Sequence, residues 1–222
     1  MPLSINTNIA SLTAQRSFLN SNSALETAFE RLSTGKRINS ASDDAAGLAI
    51  ATDLNSRVSG LNQAVRNVND GISMVQIMEG TYDEVTSILQ RMRDMAVQAA
   101  NGSLTATEQG YIETEHTQLL AAINDAIDQA TFSKTDLVDS AGASAVSVSI
   151  QAGANTGDAV SIALSTASTS GATALGVDIT AFASVATSSI GVIDTALNKV
   201  AAHRATLGAH QAQLESTVRN LS

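Results

Sequence analysis

The 222-residue chain is 44% hydrophobic but only 3% aromatic, and it has no Trp and no Cys, which excludes disulfides, Cys-ligated zinc and thiol nucleophiles and disfavours the aromatic-lined pockets of compact enzymes. Charged residues make up 15% and the formal net charge is −9, which argues against a nucleic-acid binder with a basic face and against electrostatic binding to a membrane surface. No segment has the roughly 18 uninterrupted apolar residues of a membrane span, and the opening MPLSINTNIASLTAQRS lacks the basic start and apolar run of a secretory signal.

Taken in chain order, the pattern predicts four helical stretches and one short β region. The first runs from about Ser4 to Ser33. Ile5, Ile9, Leu12 and Leu19 step by four, three and seven. Leu25, Ala28 and Leu32 restart the series with a phase shift, so the seam drifts around the helix. Thr34-Gly35 is a stop signal. The second stretch covers about Asp44 to Ala100. Leu54, Val58, Leu61, Val65, Val68, Ile72 and Val75 alternate steps of four and three. After one short step to Met78, the series continues through Tyr82, Val85, Leu89, Met92, Ala96 and Ala99. That is a heptad-type seam of the coiled-coil kind, with Gly60, Gly71 and Gly80 as candidate bends and Asn101-Gly102 as a turn.

The third stretch spans about Ala106 to Ala130. Thr105 with Glu108 makes a capping box, and Ile112, Leu119, Ile123, Ala126 and Ala130 hold the seam with His116 in register. Beyond Phe132 the character changes. Val146, Val148 and Ile150 alternate with Ser, and Val160, Ile162 and Leu164 alternate too, around Gln151 to Asp158. Two alternating runs about a Gly/Asn/Asp turn predict a β-hairpin at about 145–165, which needs a helix to lean on. The Ser/Thr/Ala/Gly tract from Ser165 to Ala174 reads as an exposed loop. The fourth helix, from about Ala181 to Leu221, carries Ile190, Ile193, Leu197, Val200, Leu207, Leu214, Val218 and Leu221 in one register, with Arg204 and Gln211 as polar register-fixing positions. The fold class is therefore mainly α with a small β-hairpin: an elongated, antiparallel, coiled-coil-like rod of long helices.

No catalytic, metal or cofactor site emerges from the residues. Ser33-Thr34-Gly35-Lys36-Arg37 lacks the upstream glycine and the strand of a phosphate loop. Asp43 and Asp44 are adjacent, point apart on a helix and fit dipole-stabilising acids at its start. His203 and His210 stand two turns apart and no HExxH is present. Met74, Met78, Met92 and Met95 read as adaptable packing. Asn101-Gly102-Ser103 and Asn220-Leu221-Ser222 match only the three-residue glycosylation pattern.

Several runs resemble bacterial flagellin closely. They are Ile5 to Leu12, Arg31 to Ile50, Leu89 to Gln98, Ile150 to Asn155, and Ile193-Asp194-Thr195-Ala196-Leu197 through Leu207-Gly208-Ala209. Together they cover nearly the whole chain except about 138–149 and 165–185. The resemblance implies an inner filament-core helix over 1–33 (Ile5, Ile9, Leu12, Leu19, Leu25, Leu32), a spoke over 34–46, and a helical rod domain over 47–222 with no large outer variable domain. It implies a structural subunit of the flagellar filament, secreted through the flagellar type III export apparatus and extracellular, with other flagellin subunits as partners and no enzyme activity, cofactor, nucleic acid or membrane insertion. A hook–filament junction protein and a monomeric ligand of an innate immune receptor are the alternatives.

By the same resemblance, Gln90, Arg91, Met95, Ile112 and Glu115 match a patch seen by Toll-like receptor 5, with Met95 standing where the family has Leu. Flagellins continue past the point matching Leu221 with a further spoke and a terminal helix that offers an export-chaperone site. Its absence here predicts a fragment or an assembly-incompetent variant, one whose isolated chain forms no stable filaments.

Overall fold

The computed structural model describes residues 8–138, 146–165, 172–179, 182, 183 and 185–221. It is mainly helical with two small hairpins, and it separates into two compact units, Met1–Val58 and Ser59–Ser222.

The first unit holds α1 (Ile9–Thr34). The Asn8 side chain caps its start by accepting the Ser11 N–H at 3.2 Å. Gly35, at φ 66°, ends it and donates its N–H to the Arg31 carbonyl at 2.9 Å, so the Thr34-Gly35 stop acts through the left-handed conformation that glycine permits. A ten-residue connection then leads to α2 (Ala45–Ala99), whose first residues belong to this unit. The two adjacent acids divide the work there. Asp44 caps α2 by accepting the Gly47 N–H at 2.8 Å, as dipole logic anticipates. Asp43 instead turns back, accepting the N–H groups of Asn39 at 3.1 Å and Ser40 at 3.2 Å. Those two backbone donors hold its carboxyl below the ordinary value.

In the second unit α2 continues unbroken and packs with α3 (Ala106–Asp128) and α5 (Ala186–Leu221). The turn at 100–105 reverses the chain, and Thr105 and Glu108 form the full capping box at the start of α3. Helices α2 and α5 run antiparallel. Arg93 pairs with Asp194 at 2.7 Å and Asp83 with Arg204 at 3.1 Å, so partners descend α5 as α2 ascends. Tyr82 meets His203 edge-on at 5.2 Å between ring centroids.

The buried positions of α2 are Ala64, Val68, Gly71, Val75, Met78, Tyr82, Val85, Leu89, Met92, Ala96 and Ala99, with Ile88 and Met95 beside them. The eleven alternate steps of four and three throughout. The short step expected between Val75 and Met78 therefore does not exist. It came from following Leu61, Val65 and Ile72, which only flank the lane, because their aliphatic side chains outweigh the small residues beside them. Gly71 is small for a reason: a Cβ there would stand 3.2 Å from Ile150 and 3.4 Å from Ile162 of the hairpin. At Gly60 it would stand 3.0 Å from the Ala154 Cβ. These glycines are seats for the hairpin, not bends.

The same correction applies to α5. Its buried line is Ala186, Ser189, Ile193, Ala196, Val200, His203, Leu207 and Leu214. Ile190 and Leu197 flank it, and Arg204 and Gln211 are half-exposed. Arg204 reaches out to Asp83 while the compact His203 takes the interior position.

The hairpin expected at about 145–165 is β3 (Ser147–Gln151) paired antiparallel with β4 (Ala159–Ala163), Ser149 opposite Ser161. Ile150 and Ile162 face inward and the serines outward, the alternation of a half-buried ribbon. Asn67 of α2 donates to the Gln151 carbonyl at 3.2 Å. A smaller hairpin precedes it, β1 (Thr131–Phe132) with β2 (Thr135–Asp136). Its turn residues Ser133 and Lys134 both have positive φ, 50° and 68°, a conformation usually signalled by Asn or Gly. With neither present, the sequence offers no sign of it.

The segment from Ser165 to Ala174 is not an exposed loop where it is described. Ser165 is buried, and Ala172–Leu175 form a short helix, α4, with Ala172 and Leu175 buried. Leu175, Val177 and Phe182 anchor the segment in the core, and long side chains bind its backbone. Asn124 accepts the Ala172 N–H at 3.1 Å and Glu113 the Ala183 N–H at 3.0 Å. Lys199 donates to the Ala174 carbonyl at 3.2 Å. Helix α5 starts at Ala186, later than Ala181, because Phe182 turns inward onto His116.

Candidate assembly surface

Helix α1 buries no residue at all. Ile9, Leu12 and Leu19 line one stripe of it. Phe18, Leu25, Phe29 and Leu32 line a second, roughly a third of a turn further round by helical spacing. All seven are between 53% and 81% exposed. Phe18 and Phe29 were missed by the sequence reading, although they fit the drift of the seam between the two stripes. Ile5 lies outside the described residues. The opening turns of α2 repeat the pattern, with Ile50, Leu54 and Val58 each more than half exposed at successive steps of four. A soluble chain rarely leaves so many large apolar side chains in helical register uncovered, and such faces mark interaction surfaces.

The residues assigned to a receptor patch separate by burial. Gln90 and Arg91 are exposed and Glu115 is half-exposed. Arg91 donates through Nε to the Glu115 carboxylate at 3.0 Å, tying α2 to α3. Met95 and Ile112, at 6% and 7% exposed, belong to the core lane beneath and are not surface contacts.

Two of the three histidines, His116 and His203, serve packing. His203 bonds the Leu164 carbonyl through Nε2 at 2.8 Å. His116 bonds the Val177 carbonyl at 3.2 Å and stacks on Phe182 at 4.0 Å. Burial pushes the His116 pKa below its ordinary 6.5, against the opposing pull of the Val177 bond and the charges of Glu113 and Asp178. The unfolded chain then binds the proton more readily than the folded one. Stability from this residue is fully present above 6.5 and declines as pH falls through that value. Urea melts from neutral pH downward are expected to show that loss, and His116→Gln, which retains a donor to Val177 but does not titrate, to reduce it.

Among the described residues no group of three His, Cys, Asp or Glu is placed to hold a metal, and no helix is long and apolar enough to cross a membrane. A core lane of small and aliphatic residues, together with exposed apolar stripes on α1 and early α2, defines a helical packing protein whose functional surface is a set of helix faces. The family model of the bacterial flagellin N-terminal helical region matches residues 5–143, and that of the C-terminal helical region matches 190–222. The chain belongs to the bacterial flagellin family.

Polar flagellin F of Vibrio parahaemolyticus is 46% identical over 171 residues, 77% of this chain and 45% of that protein. A flagellin of Halalkalibacterium halodurans is 40% identical over 219 residues, 98% of this chain and 79% of its own. The crystal structure of Bacillus cereus flagellin superposes with a TM-score of 0.61 at 26% identity, covering 71% of this chain and 89% of that one. The chain thus spans less than half the length of the Vibrio relative and about four-fifths of the Halalkalibacterium one.

Proposed function

We propose that this chain is a structural subunit of the extracellular flagellar filament, built into it by helix packing between copies and not by any chemical step. The carrying observation is α1, with seven large apolar side chains exposed on a helix that buries nothing. Each such side chain contributes roughly 1.5–3 kcal/mol when covered, so a few per contact suffice to hold subunits together. On this reading residues 1–33 form the filament-core helix, 34–46 the spoke and 47–222 the rod domain, and the flagellar type III apparatus carries the chain out. Although the isolated chain is expected to form no stable filaments, a tag placed on it at its own locus, with the other flagellin subunits of the encoding bacterium present, is expected to label filaments along their length in immunoelectron microscopy. Label confined to the cytoplasm or to soluble protein in the medium contradicts the reading.

A second reading, as a ligand of an innate receptor, is favoured only by the exposed Gln90 and the Arg91–Glu115 pair. It requires receptor-reporter activity of the unassembled chain that Arg91→Ala removes.

A further inference from the structure

We propose that Asn101 is a self-modifying site, at which the folded chain converts an asparagine to aspartate and isoaspartate without an enzyme. Asn101, Gly102 and Ser103 are exposed in the turn between α2 and α3. Three features of that turn favour the reaction.

First, among the described residues the Gly102 N–H donates to no group, whereas the neighbouring N–H groups are engaged: Asn101 with the Gln98 carbonyl at 3.1 Å and Leu104 with the Asn101 carbonyl at 3.3 Å. The Gly102 nitrogen is therefore free to act as nucleophile. Second, Gly102 has no Cβ, and nothing lies within 4 Å of where one would stand, so no side chain obstructs approach to the amide carbon of Asn101. Third, the Ser103 N–H donates to the Asn101 side-chain oxygen at 3.3 Å. That donor polarises the amide and stabilises the oxyanion that forms on attack, as an oxyanion-hole donor does.

The reaction balances without a co-reactant other than water. Base removes the Gly102 amide proton. The nitrogen bonds to Cγ of Asn101, the Cγ–Nδ2 bond breaks, and Nδ2 leaves as ammonia. Water then opens the five-membered imide at either carbonyl, restoring an ordinary aspartate or leaving an isoaspartate whose main chain runs through the side chain. No other asparagine of the sequence precedes a glycine. Asn62, Asn67, Asn69, Asn124 and Asn198 lie within α2, α3 and α5, where the next N–H is held in the helical ladder. Each event adds a carboxylate to a unit that already has seven Lys and Arg against sixteen Asp and Glu, while Met1–Val58 has five of each. An isoaspartate also lengthens the turn just ahead of the Thr105 capping box. The proposal depends on the turn alone and stands apart from the filament reading.

The test is peptide mass spectrometry, with isoaspartate detection, on the full chain held folded at mildly alkaline pH and on the same chain unfolded in urea. Conversion at Asn101 in the folded chain, giving both products and sparing the helical asparagines, is the expected result. Gly102→Ala, whose Cβ enters open space at a position without positive φ, should keep the circular dichroism spectrum and lose most of the conversion. Either of two results overturns the proposal: a folded chain that stays intact at Asn101 while the unfolded chain converts, or a Gly102→Ala chain that converts as fast as the parent.

Discussion

Replacing Leu19 and Phe29 together by Asp is expected to abolish incorporation into filaments while leaving the soluble chain as stable as before. Both side chains are about two-thirds exposed, at 67% and 65%, and no tertiary contact of α1 depends on burying them, since that helix buries nothing. The folded chain therefore loses only what a surface change costs, within about 0.5 kcal/mol. In an assembly that covers α1, the double variant forfeits two large apolar burials, about 3–6 kcal/mol in all. That is a factor of about 10² to 10⁴ in the association constant. Desolvating two carboxylates adds to the loss. Quantitative immunoblots of sheared filaments against the secreted pool read the effect directly. Normal incorporation of the variant would mean that these faces of α1 are not where copies meet.

Leu89→Ala is the second large effect, and it gains meaning from its contrast with Leu54→Ala. Both leucines lie on the same heptad-type series of α2 as read from the sequence. Leu89 is 0% exposed and Leu54 55%. Truncating Leu89 leaves a cavity in the lane between α2 and its partners and is expected to cost about 2–5 kcal/mol. Truncating Leu54 should change the stability of the isolated chain by less than about 0.5 kcal/mol. Urea denaturation of the two variants beside the parent measures both. Equal losses would mean that the apolar series is covered along its whole length in one molecule.

The long helices were legible because a three-and-four alternation persists over many turns and nothing after Pro2 breaks it. The strands β3 and β4 were legible because alternation with serine is unlike any helical period. The lane at the centre of the packing was half-legible. Val68, Val75, Met78, Tyr82, Val85, Leu89, Met92, Ala96, Ala99, Ile193, Val200, Leu207 and Leu214 belong to both the expected and the observed series. Beside these the structure places Ala64, Gly71, Ser189, Ala196 and His203 inward, where the apolar pattern favoured bulkier neighbours. The reason lies in tertiary space: the hairpin crowds both glycines, and a Cβ would stand 3.0 Å from Ala154 at Gly60 and 3.2 Å from Ile150 at Gly71. A pattern that scores apolar bulk passes over positions chosen for smallness.

The same blindness hid α4 and the β1–β2 turn. The first is held by the side chains of Asn124 and Lys199, both distant in sequence. The second forces Ser133 and Lys134 into a conformation their types do not announce. On the surface, the apolar stripes of α1 were anticipated in part through Ile9, Leu12, Leu19, Leu25 and Leu32. Phe18 escaped because it sits where the drifting seam changes phase, and Phe29 because its neighbour Ala28 was taken between Leu25 and Leu32 in its place. Burial of Ile112 and Met95 agrees with the seam of the third stretch and with the methionines read as packing, and sets both apart from the receptor patch the resemblance implied.

The central claim is that α1 is solvent-facing in the free chain and covered when copies assemble. Amide hydrogen exchange of residues 9–34, compared between soluble chain and isolated filaments, tests it most directly. The account predicts rapid exchange across α1 in the soluble chain, far ahead of the buried lane from Ala64 to Ala99, and strong protection of α1 in the filament. Protection of α1 equal to that lane in the soluble chain, or unchanged rapid exchange in the filament, would contradict it.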